Sequence, residues 1–347
     1  MSSARPFVPA YVAVLAWAIV AGFPRLPALL LPPPGAPATG IHTVLGLAAM
    51  LAAVYGLYRV ARPSPPSDFW RQFQKNSTAV LGLHGALLLS LLTAVTPLVA
   101  PFDPIAIDVG PHLVAPSAAH WLGTDTFGRD CLSRCLYGAR VSLAIGFVAV
   151  AISATVGTLV GTVAGFFGGV ADRALMGVAD LLLALPRLVL LLALVGVFRP
   201  QGADRAFVLV AILGCTGWMG VARIVRAQIL SLREQDFIQA ARALGLPTWR
   251  ILVRHLVPNV LAPVIVFGSL AIGSTMLAEA GLSYLGLGVA PPTPTWGALV
   301  NEGRESMRTG PWVTFVPGAL IGVAVMSFNL LGDGLRDALD PRLRGRA

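Results

Sequence analysis

Two ionisable residues inside apolar sequence offer the first candidate chemistry of this chain. Asp180 and Arg187 are seven residues apart, and two turns of one helix would place them on the same side. Ionisable groups at bilayer depth are rare and often belong to proton or ion pathways. The pair therefore predicts either a relay in an ion-coupled carrier or a packed structural pair. Pro186 between them predicts a kink in the helix.

A second candidate is a metal site built from sulfur and imidazole ligands. Cys131 and Cys135 share a helix face, and His112 and His120 precede them. One C-x3-C spacing without a second cysteine pair is a poor match to zinc patterns, so we expect no metal. The sequence also has no HExxH pattern and no nucleophile at a meaningful distance from a histidine. We therefore predict no catalytic residues and expect the chain not to be an enzyme by itself.

The single lysine decides whether this chain could bind ATP in the usual way. A phosphate-binding P-loop needs the pattern GxxxxGK[ST]. Lys75 is the only lysine of the sequence, and Asn76 follows it. The chain therefore has no standard P-loop, and any use of ATP requires separate subunits.

The elements that position these residues are predicted to be transmembrane helices. Of the 347 residues, 56% are hydrophobic and 12% are charged, a composition outside that of soluble domains. A spanning helix needs about 20 mostly apolar residues. The segments that qualify are 7–23, 41–59, 78–100, 141–166, 174–198, 206–222, 257–279 and 312–332. The first could also be a signal peptide, but no small-residue cleavage site follows it. We therefore predict an all-α polytopic membrane protein.

Arginine positions predict the orientation of these helices, because positive charge near helix ends stays in the cytoplasm. Arginines cluster in the loop 223–256 and in the C-terminal tail. Both termini are then cytoplasmic, and segments 101–140 and 280–311 lie outside, where acidic residues partly balance the arginines. The net charge of +9 is thus mostly a topology signal. No groove-reading motif indicates a nucleic acid partner.

Within the cytoplasmic loop, residues 236–245 have the pattern of a short amphipathic helix. Apolar residues at i, i+3, i+4 and i+7 predict one face, made of Phe237, Ala240, Ala241 and Leu244. Gln239 and Arg242 are predicted on the other face. Gly245, followed by Pro247, is expected to end the helix. Such a helix suits a groove in another protein, so we predict that it couples the chain to a partner.

Several blocks of this sequence resemble permeases of the dipeptide, oligopeptide and nickel family of ABC importers. EQDFIQAARALGLPTWRILVRHLVPN, at 234–259, is similar to the coupling loop of that family, and HWLGTDTFGRDCLSRCLYGARVSL, at 120–143, to a periplasmic stretch. Residues 69–104 resemble the segment that opens the C-type subunit. Residues 279–297 and 332–343 resemble the last periplasmic loop and the C-terminal end.

This resemblance implies a type I ABC importer permease with a six-helix core in the bacterial cytoplasmic (inner) membrane. The implied partners are a homologous B-type permease, two ATP-binding subunits, a periplasmic or lipid-anchored solute-binding protein and membrane lipid. ATP and Mg would be bound by the partner ATPase subunits, with no cofactor in this chain. Peptides or similar solutes are the implied substrate, and a nickel chelate is the alternative. An ion-coupled carrier and a membrane scaffold are alternatives from other classes.

The resemblance also singles out a periplasmic loop that would gate access to a pore or touch the binding protein. Its residues are Gly123, Asp125, Gly128, Arg129 and Asp130. The alternative is that Asp130 and Arg134, four residues apart, form an ordinary pair on a helix surface. In the coupling helix, Gln239 stands where the family usually has Glu. Its amide can still form hydrogen bonds, so we expect docking without the salt bridge of a carboxylate.

The domain organisation follows from where the resemblance begins. Residues 69–347 form the predicted permease core, with the coupling loop at 223–256. Residues 1–68 form a predicted extension with two further transmembrane helices and a Pro-rich linker. In the core, glycines at 157, 161 and 165 predict close helix packing. That packing would occur either within the chain or against the B-type partner.

Overall fold

The computed structural model describes residues 68–198 and 204–339. In these two ranges the regular elements are helices, with one isolated bridge between Thr124 and Asp130 and no strand. The helices are α1 Asp68–Lys75, α2 Ser77–Val99, α3 Cys131–Phe167, α4 Gly169–Leu183, α5 Arg187–Phe198, α6 Asp204–Cys215, α7 Trp218–Arg233, α8 Asp236–Ala243, α9 Thr248–Ile251, α10 Val257–Tyr284, α11 Trp296–Glu302 and α12 Trp312–Leu339. A π-helical turn, Leu252–Leu256, joins α9 to α10.

Within the described residues, five helices have the length and composition of a membrane span, and a bent helix pair makes a sixth when it is counted as one span. Unbroken or nearly unbroken spans are Ser77–Val99, Cys131–Phe167, Arg205–Arg233, Thr248–Tyr284 and Trp312–Leu339. The sixth consists of α4 and α5, which are bent by 94° relative to each other. The prediction of an all-α polytopic protein with a six-helix core is confirmed. The two helices predicted at 7–23 and 41–59 lie outside the described residues.

The segment 174–198 is not the single helix that its apolar sequence predicts. α4 ends at Leu183, α5 begins at Arg187, and Pro186 lies in the break between them. Proline has no N–H to donate, and its ring clashes with the carbonyl one turn earlier. The predicted kink is therefore confirmed. The placement of Asp180 and Arg187 on one side of a single helix is wrong, because they lie on separate helices.

Two other spans are longer than their apolar runs predict. α3 has 37 residues and begins at Cys131, ten residues before the predicted start. Asp130 explains this extension, because its side chain accepts a hydrogen bond from the N–H of Ser133 and caps the helix. The span predicted at 206–222 continues to Arg233, with a break at Thr216 and Gly217 between α6 and α7.

The long helix α3 lies at the centre of the bundle and packs closely against α7. A Cβ added at Gly157, Gly161 or Gly165 would lie 2.7, 2.5 or 3.0 Å from a backbone oxygen of α7. These distances leave no room for a side chain, so the two backbones approach along a glycine seam. Of the two predicted uses of this spacing, the structure shows packing within the chain.

The bundle has two structurally different ends. One end, here named the α8 end, carries α8, α9 and α1. α1 packs there through the buried Phe73 against the start of α2 and the end of α12. The opposite end, named the α11 end, carries α11 and residues 100–130, and Trp312 at the start of α12 donates a hydrogen bond to Thr124 there.

Candidate functional site

The short helix α8 packs on its own chain through Ile238 and Ala241. These residues are 0% and 5% exposed and belong to an apolar cluster with residues of α7, α9 and α10. Phe237 is half-buried against the same cluster. Ala240 and Leu244, which belong to the face predicted to lie in a partner's groove, are exposed. The apolar period does not reveal the contact of Ile238 with the bundle, because that contact depends on residues of other helices.

α8 ends at a left-handed glycine, as the sequence predicts. Gly245 has φ +70°, a conformation that residues with a Cβ rarely adopt. The N–H of Gly245 donates to the carbonyl of Arg242 at 2.9 Å, and that of Leu246 donates to Ala241 at 3.2 Å. This pair of bonds is a Schellman motif, which satisfies carbonyls that the helix would otherwise leave free.

Three large apolar side chains remain exposed at the α8 end. Leu244, Trp249 and Val253 are 82%, 61% and 62% exposed. Trp249 and Val253 are four residues apart on one continuous span, so they share a face. We name these three residues the α8 surface. Exposed groups of large apolar side chains mark sites of protein contact.

The polar residues predicted on the other face of α8 attach it to the ends of α7 and α3. The side-chain amide of Gln239 donates to the carbonyl of Arg233 at 3.0 Å. The guanidinium of Arg242 lies 5.2 Å from the centre of the Phe166 ring. An ionised glutamate at position 239 could not donate this bond. The glutamine therefore gives α8 a contact with α7 that a glutamate at this position would lack.

Two ion pairs connect α7 to α4 near the α8 end. Arg223 donates to Asp180 at 2.5 Å. Arg226 donates two hydrogen bonds to Asp172, at 2.5 and 2.6 Å. A bidentate arginine–carboxylate pair fixes geometry as well as charge. Asp180 therefore pairs with Arg223 across a helix interface, and the predicted relay pair with Arg187 is not formed.

At the α11 end, a buried ion network surrounds the predicted periplasmic loop. Arg129 donates to Asp125 and to Glu302, each at 2.6 Å. Arg134, whose side chain is 1% exposed, donates to both carboxylate oxygens of Glu302 at 2.8 and 3.0 Å. Asp125 also accepts backbone hydrogen bonds from Phe127 and Arg129. Two arginines thus share two carboxylates, and the network fixes the loop to α11.

Asp130 serves as a helix cap in this loop rather than as a partner of Arg134. One of its oxygens accepts from the N–H and the hydroxyl of Ser133, both at 2.8 Å. The other lies 3.0 Å from Nδ1 of His120. Asp130 is 0% exposed. The predicted surface pair between Asp130 and Arg134 is therefore wrong, because each residue has a different buried partner.

Two glycines allow the loop to fold this tightly. Gly128 has φ +66°, and a Cβ there would lie 2.5 Å from the carbonyl oxygen of Gly110. The carbonyl of Gly123 accepts from the N–H of Cys131 at 3.0 Å and joins the loop to α3. The structure thus brings together all five residues predicted in this loop, as a folded and mostly buried unit.

The four residues considered for a metal site are separated by their own partners. His112 lies 2.7 Å from Asp108 on the exposed part of the loop, and His120 contacts Asp130. Cys131 and Cys135 are free thiols buried in α3. Among the residues that the structure describes, no three potential ligands group together.

A buried carboxylate in α10 was not singled out by the sequence analysis. Glu279 is 1% exposed and accepts hydrogen bonds from Ser283 at 2.6 Å and Ser142 at 3.3 Å. The Ser142 hydroxyl also accepts from the N–H of Trp296, so α3, α10 and α11 meet here. A lone acidic residue at the end of the apolar segment 257–279 was the signal that could have identified it.

A cavity of about 170 Å³ lies where the two helix breaks meet α3 and α10. Leu183 and Arg187 line it from the break between α4 and α5, and Thr216 and Gly217 line it from the break between α6 and α7. The lining residues of α3 and α10 lie near the middle of those helices. Discontinuous helices around a mid-span cavity are typical of substrate pathways in transporters.

Comparisons with known proteins agree with this architecture. Residues 157–345 match the family described as binding-protein-dependent transport system inner membrane component. Residues 64–116 match the N-terminal TM domain of oligopeptide transport permease C. The dipeptide transport system permease protein DppC of Alkalihalophilus pseudofirmus is 38% identical over 81% of this chain and 91% of its own length. The glutathione transport system permease protein GsiD of Pectobacterium atrosepticum is 40% identical over 85% and 97%.

Proposed function

Because the chain belongs to the family of binding-protein-dependent transport system inner membrane components, we propose that it is a pathway-forming subunit of an ATP-driven peptide importer. In this proposal the chain conducts the peptide and hydrolyses nothing. Separate ATPase subunits bind ATP and Mg, since the sequence has no standard P-loop. The names of the relatives support peptides as the substrate class, since one refers to dipeptides and the other to glutathione, a small peptide.

The observation that carries this proposal is the α8 surface. α8 is anchored to the bundle by Ile238 and Ala241, so a force applied to it reaches α7, α9 and α10. Leu244, Trp249 and Val253 stay exposed beside it. An anchored helix with uncovered apolar side chains can serve as the contact for a moving partner. We propose that each cycle of ATP binding and hydrolysis pushes on the bundle through this surface.

We further propose that the α8 end faces the cytoplasm and the α11 end faces outward. The arginines at 223, 226, 233, 242, 250 and 254 lie in or near the α8 end, and positive charge is retained on the cytoplasmic side. At the α11 end the buried Arg129 and Arg134 are balanced by Asp125 and Glu302. Both chain termini would then be cytoplasmic.

In this arrangement the outer loop forms a rigid platform for a solute-binding protein, and a homologous B-type permease completes the pathway. The ion pairs of Arg223 and Arg226 connect α7 to the broken span beside the mid-span cavity. Movement of α8 and α7 would therefore be transmitted to the cavity, as expected for rocking between outward and inward states.

The test is co-purification of this chain with its candidate ATPase subunits, comparing Leu244→Asp with Leu285→Asp. Both leucines are exposed, at 82% and 55%, but Leu285 lies at the opposite end of the bundle. We expect Leu244→Asp to lose the ATPase subunits, because a charge is placed in an apolar contact. Leu285→Asp should retain them. Equal retention by both variants would contradict the proposed contact.

A further inference from the structure

The mid-span cavity contains one charged side chain. Arg187 is the single ionisable residue among those that line it, and no acidic residue lines it. It enters the cavity from the first position of α5, where Pro186 breaks the span. The cavity is therefore positively charged at a depth where charged side chains are rare.

Arg187 differs from the arginines of α7 in having no acidic partner. Arg223 is paired with Asp180, and Arg226 is paired with Asp172. Among the described residues, Arg187 has no hydrogen bond or ion pair with another side chain. A guanidinium at bilayer depth is costly unless it meets an anion or water. An anion that enters the cavity would therefore gain an interaction with Arg187 that no residue of the chain already satisfies.

Three of the four hydroxyl groups that line the cavity do not compete for this role. Ser153 donates to the carbonyl of Gly214 at 2.8 Å, Thr216 to Ile212 at 2.8 Å, and Ser274 to Ala271 at 3.0 Å. Each has therefore used its single hydroxyl proton on the backbone. The fourth hydroxyl, that of Thr275, is a neutral donor, so the guanidinium of Arg187 is the charged donor that the cavity offers to an anion.

We propose that Arg187 binds the C-terminal carboxylate of the peptide during its passage. Arginine presents a planar set of donors that matches a carboxylate, and such charge-assisted bonds are about twice as strong as neutral ones. Every peptide with a free C-terminus carries this group, whatever its side chains. The contact would thus favour peptides as a class without selecting a sequence. This inference rests on the proposed function.

The size of the cavity limits what it can hold. A volume of about 170 Å³ leaves room for a carboxylate and the residue that bears it. The remainder of the substrate would extend out of the cavity toward the second permease.

The test uses the complete importer, with both permeases, the ATPase subunits and the binding protein, reconstituted in proteoliposomes. The probes are a pool of dipeptides and tripeptides with free C-termini and the same pool with C-terminal amides, and uptake is measured by mass spectrometry. The variants are Arg187→Gln, Arg187→Lys and a control, Arg173→Gln. Arg173 is an exposed arginine of α4 that bonds only to the carbonyl of Gly169.

We expect Arg187→Gln to lower uptake of the free-acid pool about tenfold relative to the amide pool, as for the loss of one charge-assisted contact. Arg187→Lys should lower this ratio by less than Arg187→Gln does, since lysine keeps the charge but not the planar set of donors, and Arg173→Gln should match wild type. An unchanged ratio of acid to amide uptake in Arg187→Gln would overturn the inference. An equal loss of uptake for both pools would also overturn it, because that result indicates that Arg187 only maintains the shape of the cavity.

Two further readouts separate this inference from the proposed function. The proposed function stays intact if every variant co-purifies with the ATPase subunits and if the binding protein stimulates ATP hydrolysis in every variant. A wild-type complex that hydrolyses ATP but accumulates neither pool would contradict peptides as the substrate class, and with it this inference. Failure of the wild-type chain to bind ATPase subunits would contradict the proposed function itself, and with it this inference.

Discussion

The α11 end and the α8 end of this protein differ in which of their candidate functional residues are buried and which are exposed. At the α11 end, the charged residues that suggest a gate are buried and paired with one another, as in the network of Arg129, Arg134 and Glu302. At the α8 end, apolar residues that suggest a core are exposed, as for Leu244 and Trp249. The loop charges of the α11 end are thus paired within the chain, although apolar side chains such as Trp121 and Leu285 are exposed there as well. The α8 end differs in that its exposed apolar side chains lie beside a helix anchored to the bundle.

This comparison shows that residue type alone does not identify a contact site. A charge is informative only if it lacks a partner, and an apolar side chain only if it lacks cover. By this criterion the loop residues Asp125 and Asp130 maintain structure, because their oxygens are occupied. Leu244 is exposed, and Arg187 has no side-chain partner among the described residues, so both residues satisfy this criterion.

The largest effect should come from breaking the ion network at the α11 end. Glu302→Ala leaves Arg134, which is buried, without its main partner. We expect a loss of about 3 kcal/mol in the free energy of unfolding, because an unpaired buried charge is costly. Thermal unfolding in detergent measures this, with the exposed Glu305→Ala as the control. Equal stability of the two variants would show that the network contributes nothing.

A smaller effect is expected from straining the backbone of the same loop. Gly128→Ala places a Cβ 2.5 Å from the carbonyl oxygen of Gly110, at a φ of +66°. We expect a loss of about 2 kcal/mol in the free energy of unfolding. At the other end, Gly245 also has a positive φ, but no atom lies within 4 Å of the Cβ that Gly245→Ala adds. Its loss should be about 1 kcal/mol. A larger loss of stability in Gly245→Ala than in Gly128→Ala would contradict the tight packing of the loop at the α11 end.

The smallest effect concerns Gln239, the position where the resemblance leads us to expect a glutamate. Gln239→Glu removes the donor that bonds the carbonyl of Arg233. Because this position is exposed, the loss in the free energy of unfolding should be about 0.5 kcal/mol. Binding of the ATPase subunits should persist. Loss of the complex in Gln239→Glu, with Gln239→Ala unaffected, would place position 239 in the docking contact itself.

The parts of the fold that depend on local sequence could be predicted, and the parts that depend on distant residues could not. Apolar runs predict the core spans, Pro186 predicts the break and Gly245 predicts the end of α8, since each acts within a few residues. No local pattern gives the 94° bend, which depends on packing around the break. Nor does spacing show that Arg129 meets Glu302, 173 residues later in the chain.

In the two candidate sites, too, local sequence predicts the position of a residue but not its distant partners. The short helix α8 was predicted from the period of its apolar residues, but its contact with the bundle through Ile238 depends on residues of other helices. The loop at 123–130 was found by resemblance, which gives position and not burial. Arg187 was noticed as an intramembrane charge, but its lack of a partner became visible only when Asp180 was found bonded to Arg223.

Photocrosslinking from position 244 in the assembled transporter tests whether the α8 surface contacts an ATPase subunit. A photoreactive phenylalanine derivative is placed at Leu244 or, as a control, at Leu285, which is exposed at the opposite end. If the α8 surface is the contact for the ATPase, the probe at position 244 will crosslink to an ATPase subunit and the probe at position 285 will not. Efficient assembly without a crosslink from position 244 would contradict the account.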